Sequence, residues 1–213
     1  MSFTYQYSQP EDYHFSLDSI QAPKVIANRI CNEANLADWQ VLDLCAGCGV
    51  MGFELSWHLP ELKNFHFLEV QDVYLEHFKK NIQIVNRPEV NFTFHLQNYA
   101  GLIRQEPMPR QEHKAAYDLV ICNPPYFRID QGKLSPSEFK NRCRFFIDSD
   151  FNQLLETVLW VLKPKGQAYL LLRSLKDHGR SVEEDLSEVL QDRARSEIVA
   201  DIRGTNLVRI AFS

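Results

Sequence analysis

The chain has 213 residues, 45% hydrophobic and 24% charged, which is ordinary for one soluble domain spanning 1–213 with a sizeable core. No apolar run reaches the roughly 18 residues that cross a bilayer, and the opening MSFTYQYSQPEDY is no signal peptide, so a cytoplasmic protein without membrane contacts is expected. The formal net charge of −5 does not mark a nucleic-acid binder, but it is unevenly spread: residues 128–180 hold ten Lys or Arg against six Asp or Glu, which leaves that stretch at +4 and the remainder at −9.

Residues 1–38 read as an N-terminal segment with a helix over 20–35, where Ile20, Val25, Ile26, Ile30 and Cys31 fall near helical spacing. From residue 39 onward the pattern alternates strand and helix. VLDL (41–44) is a strand, 49–59 a helix, NFHFLEV (64–70) a strand, and 73–86 an amphipathic helix stopped before Arg87-Pro88. Strands follow at 90–96 and 116–122, then a helix at 150–162 ended by Lys163-Pro164-Lys165-Gly166, a strand at 167–172 and a polar helix at 181–193. Two β-rich runs, 196–202 and 206–212, flank Arg203-Gly204-Thr205 and predict an antiparallel hairpin. The alternation predicts an α/β fold, a mostly parallel seven-stranded sheet with helices on both faces and an antiparallel C-terminal strand. The longest irregular stretches are 98–115 and 124–149, and loops of that length tend to carry function.

The five cysteines are Cys31, Cys45, Cys48, Cys122 and Cys143, an odd number that argues against a disulfide framework. Cys45 and Cys48 form a C-x-x-C pair without a second pair at zinc spacing, so no metal is expected. The seven histidines show no ligand spacing either and are read as core or surface residues.

Asp43-Leu44-Cys45-Ala46-Gly47-Cys48-Gly49 stands where a strand turns into a helix. Glycines there let the backbone turn sharply and approach a ligand closely, with helix N–H groups beyond. The form D-x-x-A-G-x-G resembles motif I of S-adenosylmethionine methyltransferases, and the predicted sheet is similar to their class I (Rossmann-like) fold. The resemblance implies S-adenosyl-L-methionine as cofactor, held around Asp43, Cys45, Ala46, Gly47 and Gly49, with Ala46 and Cys48 packing beneath it. Glu69 ends the next strand, where an acidic residue in doubly wound folds accepts from ribose hydroxyls. Asn98 follows the third strand; the superfamily often has an aspartate there against the cofactor adenine, and asparagine departs from that pattern.

Asn123-Pro124-Pro125-Tyr126 follows directly on the strand AYDLVIC. An adenine amine is a poor nucleophile because its lone pair is delocalised into the ring. The Asn123 oxygen and the Pro124 carbonyl can each accept one N–H of such an amine and favour a pyramidal nitrogen. Two prolines fix φ and hold that carbonyl rigidly, and Tyr126 offers a face for base stacking. The pair of motifs resembles the amino-methyltransferases that modify adenine N6, cytosine N4, guanine N2 or a protein glutamine amide, and there Asn123 borders the cofactor as well.

Within that group the chain is similar to the tRNA adenine-N6 methyltransferases acting on a valine tRNA, through Phe15-Ser16-Leu17-Asp18-Ser19-Ile20, Leu68-Glu69-Val70-Gln71 and Asn123-Pro124-Pro125-Tyr126-Phe127. The resemblance implies adenine N6 in tRNA or another RNA as acceptor. A release-factor type glutamine N5-methyltransferase and a guanine-N2 rRNA methyltransferase are the alternatives, and DNA stays open. Glutamine methyltransferases usually carry a helical domain ahead of motif I, and only 42 residues precede Asp43, which favours nucleic acid. In the loop 127–149, Arg128, Lys133, Lys140, Arg142 and Arg144 either hold phosphates or pair with Asp130, Glu138 and Asp148. Oligomeric state is not legible.

Overall fold

A computed structural model describes residues 4–104, 111–174 and 181–213. Lys176, Asp177, His178 and Arg180 lie outside the described residues, as does the middle of the stretch 98–115. Seven strands form one sheet: β1 (Gln40–Leu44), β2 (Asn64–Glu69), β3 (Asn91–Leu96), β4 (Tyr117–Cys122), β5 (Leu162–Leu172), β6 (Ala194–Ile202) and β7 (Thr205–Phe212). Their order across the sheet is β3-β2-β1-β4-β5-β7-β6. β1 to β5 pair in parallel, while β7 runs antiparallel to both of its neighbours, as the glycine turn at Arg203-Gly204 predicts. Gly204 has φ +83°, a left-handed conformation that glycine adopts without cost.

The period-2 pattern of the central strands decides which helices cover which face. Val41, Phe65, Phe67, Leu119 and Ile121 point to one side, into a core shared with α1 (Asp18–Ile30), α2 (Val50–His58) and α3 (Val73–Val85). Leu42, Leu44, Val120 and Cys122 point to the other, against α6 (Phe151–Val161) and α7 (Val182–Leu190). Each such fully buried aliphatic or aromatic side chain contributes about 1.5–3 kcal/mol. β1 and β4 are neighbours, yet their connections leave in opposite directions, toward β2 and toward β5. That reversal opens a crevice beyond the carboxyl ends of the strands, the ligand position in open α/β sheets.

Several predicted boundaries shift. The first helix ends at Ile30 rather than at residue 35, because the apolar spacing stops there and Asn35 turns the chain with φ 58°. The stretch 98–115 carries the short helix α4 (Ala100–Arg104), which the Asn98 side-chain oxygen opens by accepting from the Ala100 N–H at 2.9 Å. The stretch 124–149 carries α5 (Glu138–Arg144), capped by Ser137 Oγ. Polar helices this short leave no periodic signal. β5 begins at Leu162, and its register jumps from Tyr117↔Leu162 to Leu119↔Gln167, so residues 163–166 bulge out before the regular strand.

Segment 4–16 is strapped across α2 and α3. The Tyr7 hydroxyl donates to the buried Glu54 carboxylate at 2.8 Å. Asn81 accepts from the Ser8 N–H at 2.7 Å and donates to the carbonyls of Ser8 and Cys48. The strap therefore locks onto the glycine turn and ends over the crevice. On the far side of β2 and β3, His66 stacks on His95 with ring centroids 5.2 Å apart, and His113 meets His95 edge-on at 5.5 Å.

Candidate active site

The crevice holds a cavity of about 450 Å³, within the range of roughly 300–1,000 Å³ usual for small-molecule sites. Asp43, Cys45, Ala46, Gly47, Glu69, Asn98 and residues 123–126 all line it, so the two motifs open into one space. Gly49 lies beneath the turn and not on the wall: a Cβ there would stand 2.6 Å from Phe53 and 2.9 Å from Phe78. The turn is tight, with the Gly49 N–H donating to the Ala46 carbonyl at 2.8 Å. Gly47 and Gly49 have φ of +53° and +87°. Cys45 adopts φ +56° despite its side chain, a strain of about 1–3 kcal/mol of the kind stored at functional sites.

Asp43 is 1% exposed, and its carboxylate accepts from the Gly52 N–H at 2.9 Å, clamping the start of α2 to the end of β1. Burial pushes its carboxyl up to about 8. Glu69 binds the turn itself. Its Oε2 accepts from the Gly47 N–H, and its Oε1 from the N–H groups of Val70 and Gln71, all at 2.9 Å. Burial pushes the Glu69 carboxyl up, and those three N–H groups pull against the shift. A carboxylate offers about four acceptor directions. Three are taken, so one on Oε2 remains for a ligand, not the two that a pair of ribose hydroxyls was expected to use. Asn98 is similarly engaged: besides capping α4 it donates to the Asp148 carbonyl at 2.7 Å.

Cys48 is buried, and burial raises its thiol to about 12, so it packs as a small neutral side chain. Among the described residues, no group of three or more His, Cys, Asp or Glu is placed to hold a metal.

Asn123 sits at the carboxyl end of β4. Its amide nitrogen donates to Ser19 Oγ at 2.9 Å, and its oxygen accepts from the Tyr126 hydroxyl at 2.7 Å. This pairing assigns the amide orientation: the nitrogen faces α1 and the oxygen faces Tyr126. Burial, with the Asp18 carboxylate adding, pushes the Tyr126 phenol up, so it stays a donor. Asp18 is 7% exposed and accepts from Thr205 Oγ1 at 3.2 Å, tying α1 to the start of β7. The segment Phe15–Ile20 thus reaches the cavity and the start of β7 through Ser19 and Asp18. The Tyr126 and Phe127 N–H groups both donate to the Arg144 carbonyl, at 3.2 and 3.0 Å, which folds the acceptor loop back on itself.

Arg173, in the sequence only one of the ten cations of the basic stretch 128–180, reaches the cavity from the end of β5 with its guanidinium 5.9 Å from the Tyr126 ring centre. Of the two roles the sequence leaves open for Arg142, phosphate or a local carboxylate, the structure shows the second: Arg142 grips Asp148 through Nε and Nη2 at 2.8–3.1 Å. Only the fold reveals either fact.

This sheet order, with its site at the switch point, is that of class I methyltransferases. The chain belongs to the methyltransferase small domain family, whose profile matches residues 15–138. It is 27% identical over 171 residues to the tRNA1(Val) (adenine(37)-N6)-methyltransferase of Dyadobacter fermentans, covering 76% of this chain and 66% of that protein. It is 24% identical over 173 residues to the release factor glutamine methyltransferase of Koribacter versatilis, covering 78% and 55%. The chain spans only part, 29–66%, of the length of the curated tRNA1(Val) (adenine(37)-N6)-methyltransferases of Shewanella and Dyadobacter that it matches. Its fold superposes with TM-score 0.59 on the magnesium protoporphyrin IX methyltransferase of Synechocystis PCC 6803 with bound SAM, at 14% identity over 92% of this chain and 81% of that one.

Proposed function

We propose that this chain transfers a methyl group from S-adenosyl-L-methionine to the exocyclic N6 amine of adenine in RNA, with tRNA the favoured substrate. The observation that carries the reading is Asn123, held from both ends by Ser19 and Tyr126 in the cavity that the glycine turn also lines. A cytoplasmic site of action belongs to the same reading.

The donor set suits the cofactor. Gly47 and Cys45 expose turn backbone, the remaining acceptor direction of Glu69 suits a ribose hydroxyl, and Asn98 stands on the cavity wall. Bound there, the cofactor supplies an electrophilic methyl group on a sulfonium. The Asn123 oxygen keeps one acceptor direction beside the Tyr126 hydroxyl, and the Pro124 carbonyl takes no hydrogen bond among the described residues. Those two oxygens accept the two N–H groups of the amine and turn its lone pair out of the ring plane. Tyr126 gives the base a face to stack on. Catalysis is then orientation with preorganised acceptors, and no strong base is required, because the alkylated nitrogen loses its proton readily.

Glutamine methyltransferases among the relatives support a second reading, since a side-chain amide presents the same planar NH2 group. Mass spectrometry separates the two. Purified protein with S-adenosylmethionine should yield N6-methyladenine in nucleosides from tRNA, with a rate that falls steeply as salt rises. Equal or greater methylation of a release-factor glutamine would overturn the RNA assignment.

A further inference from the structure

The structure sorts the cations around the acceptor loop. Arg128 and Lys140 lie off the cavity, each 3.8 Å from a carboxylate, of Asp185 and Asp12 respectively. Arg142 lines the cavity but is spent on Asp148. Arg144 and Arg173 also line it, and neither has a carboxylate partner among the described residues. Both lean on aromatic rings instead. The Arg144 guanidinium lies 5.7 Å from the Phe127 ring centre and 5.5 Å from that of Phe145, and Arg173 lies 5.9 Å from that of Tyr126.

A guanidinium resting on an aromatic face is steered by the ring, yet its five donors in a planar fork stay available. Phosphate is the ligand that such a fork matches, through two parallel charge-assisted hydrogen bonds. The two arginines come from different elements, α5 and the end of β5, and converge on the adjacent residues Tyr126 and Phe127. A base stacked on Tyr126 would carry a phosphate on each side of its sugar. We infer that Arg144 and Arg173 form a two-armed phosphate clamp that holds the RNA backbone around the nucleotide presented to Asn123. The clamp rests on the RNA reading of this site and adds to it the residues that grip the substrate. Arg142 stands apart: bound to Asp148, whose carbonyl accepts from Asn98, it belongs to the wall of the cofactor half.

The test is binding of a fluorescent single-stranded RNA carrying one adenine, and of a tRNA transcript, across a salt series. Each phosphate contact contributes about 0.7–0.9 to the slope of log affinity against log salt. R144Q and R173Q should each lower that slope by about that amount and weaken binding roughly tenfold, with calorimetric affinity for S-adenosylhomocysteine unchanged. R144K and R173K keep a point charge and should retain the slope. R142Q should leave the slope intact and weaken the cofactor instead. Wild-type slopes in R144Q and R173Q, in a protein that binds and methylates RNA, would overturn the clamp and leave the proposed function standing. A wild-type protein that neither binds nor methylates RNA removes both.

Discussion

The side-chain nitrogen of Asn123 donates to Ser19 Oγ at 2.9 Å, joining residues 104 positions apart and fixing which end of the Asn123 amide faces Tyr126. If the amide oxygen is the acceptor for the substrate amine, that bond sets the catalytic orientation. Asn123→Ala should therefore lower the single-turnover rate by about a hundred- to a thousandfold with little change in RNA affinity. Ser19→Ala removes only the tether, and one net hydrogen bond of about 0.5–1.5 kcal/mol predicts a two- to tenfold loss in the same step. Ser19→Thr keeps the hydroxyl and should recover most of the rate. A folded Asn123→Ala variant with a near-normal single-turnover rate refutes the mechanism.

Tyr126 has two duties, which two substitutions separate. The sequence shows only its ring face, offered for base stacking. Its hydroxyl in fact donates to the Asn123 oxygen at 2.7 Å, so Tyr126→Phe should slow transfer by roughly two- to tenfold while RNA binding holds. Tyr126→Ala should weaken binding and transfer together, since stacking acts in the ground state too. Titrating RNA against each variant, followed by single-turnover kinetics, distinguishes them.

The two turn glycines differ in what they tolerate. At Gly49 a methyl group would meet Phe53 at 2.6 Å with φ +87°, so Gly49→Ala combines overpacking and backbone strain and should cost several kcal/mol, about 2–5. At Gly47 the nearest atom to an added Cβ is Tyr74 Cε1 at 3.6 Å, leaving only the φ +53° penalty of about 1–2 kcal/mol. Denaturant midpoints should rank them accordingly. Gly47→Ala should fold and yet bind S-adenosylmethionine more weakly than wild type by calorimetry, and Gly47→Val more weakly still.

Glu69 holds three backbone N–H groups as well as its proposed ligand. Glu69→Gln places an NH2 group against one of those donors and should weaken S-adenosylhomocysteine binding by about tenfold or more, with a measurable loss of stability. An unchanged calorimetric affinity would confine Glu69 to shaping the turn.

The histidine cluster makes stability depend on pH. Burial, with His95 and His113 nearby, lowers His66 from 6.5 to about 4, and the Tyr117 hydroxyl lies 2.8 Å from His113 Nδ1 in the same group. Between those two values the unfolded chain binds the proton that folded His66 refuses. The His66 contribution is therefore present above about 6.5 and is lost as pH falls toward about 4. Asp43 acts oppositely, its raised carboxyl costing stability as pH climbs from 3.8 to about 8. The clean observable is a difference curve: chemical denaturation of wild type and His66→Gln should converge as pH is lowered from 7 to 4. Parallel curves would show that His66 does not titrate.

Much of the cavity wall was legible from the chain alone, for local reasons. Strand period, the D-x-x-A-G-x-G turn and Asn123-Pro124-Pro125-Tyr126 at the end of an apolar strand are contiguous patterns whose backbone demands are written in neighbouring residues. The mostly parallel sheet with its antiparallel close followed from the same alternation, whereas the order of the strands across it is read from the structure. What only the tertiary structure decided depends on pairs far apart in sequence. Asn123 with Ser19 and Arg173 over Tyr126 are set by where the strands end and how the loop folds back. Polar side chains at such positions carry no periodic signature. Whether a cation is free for phosphate or spent on a carboxylate depends on a few ångströms of packing, which spacing along the chain does not encode.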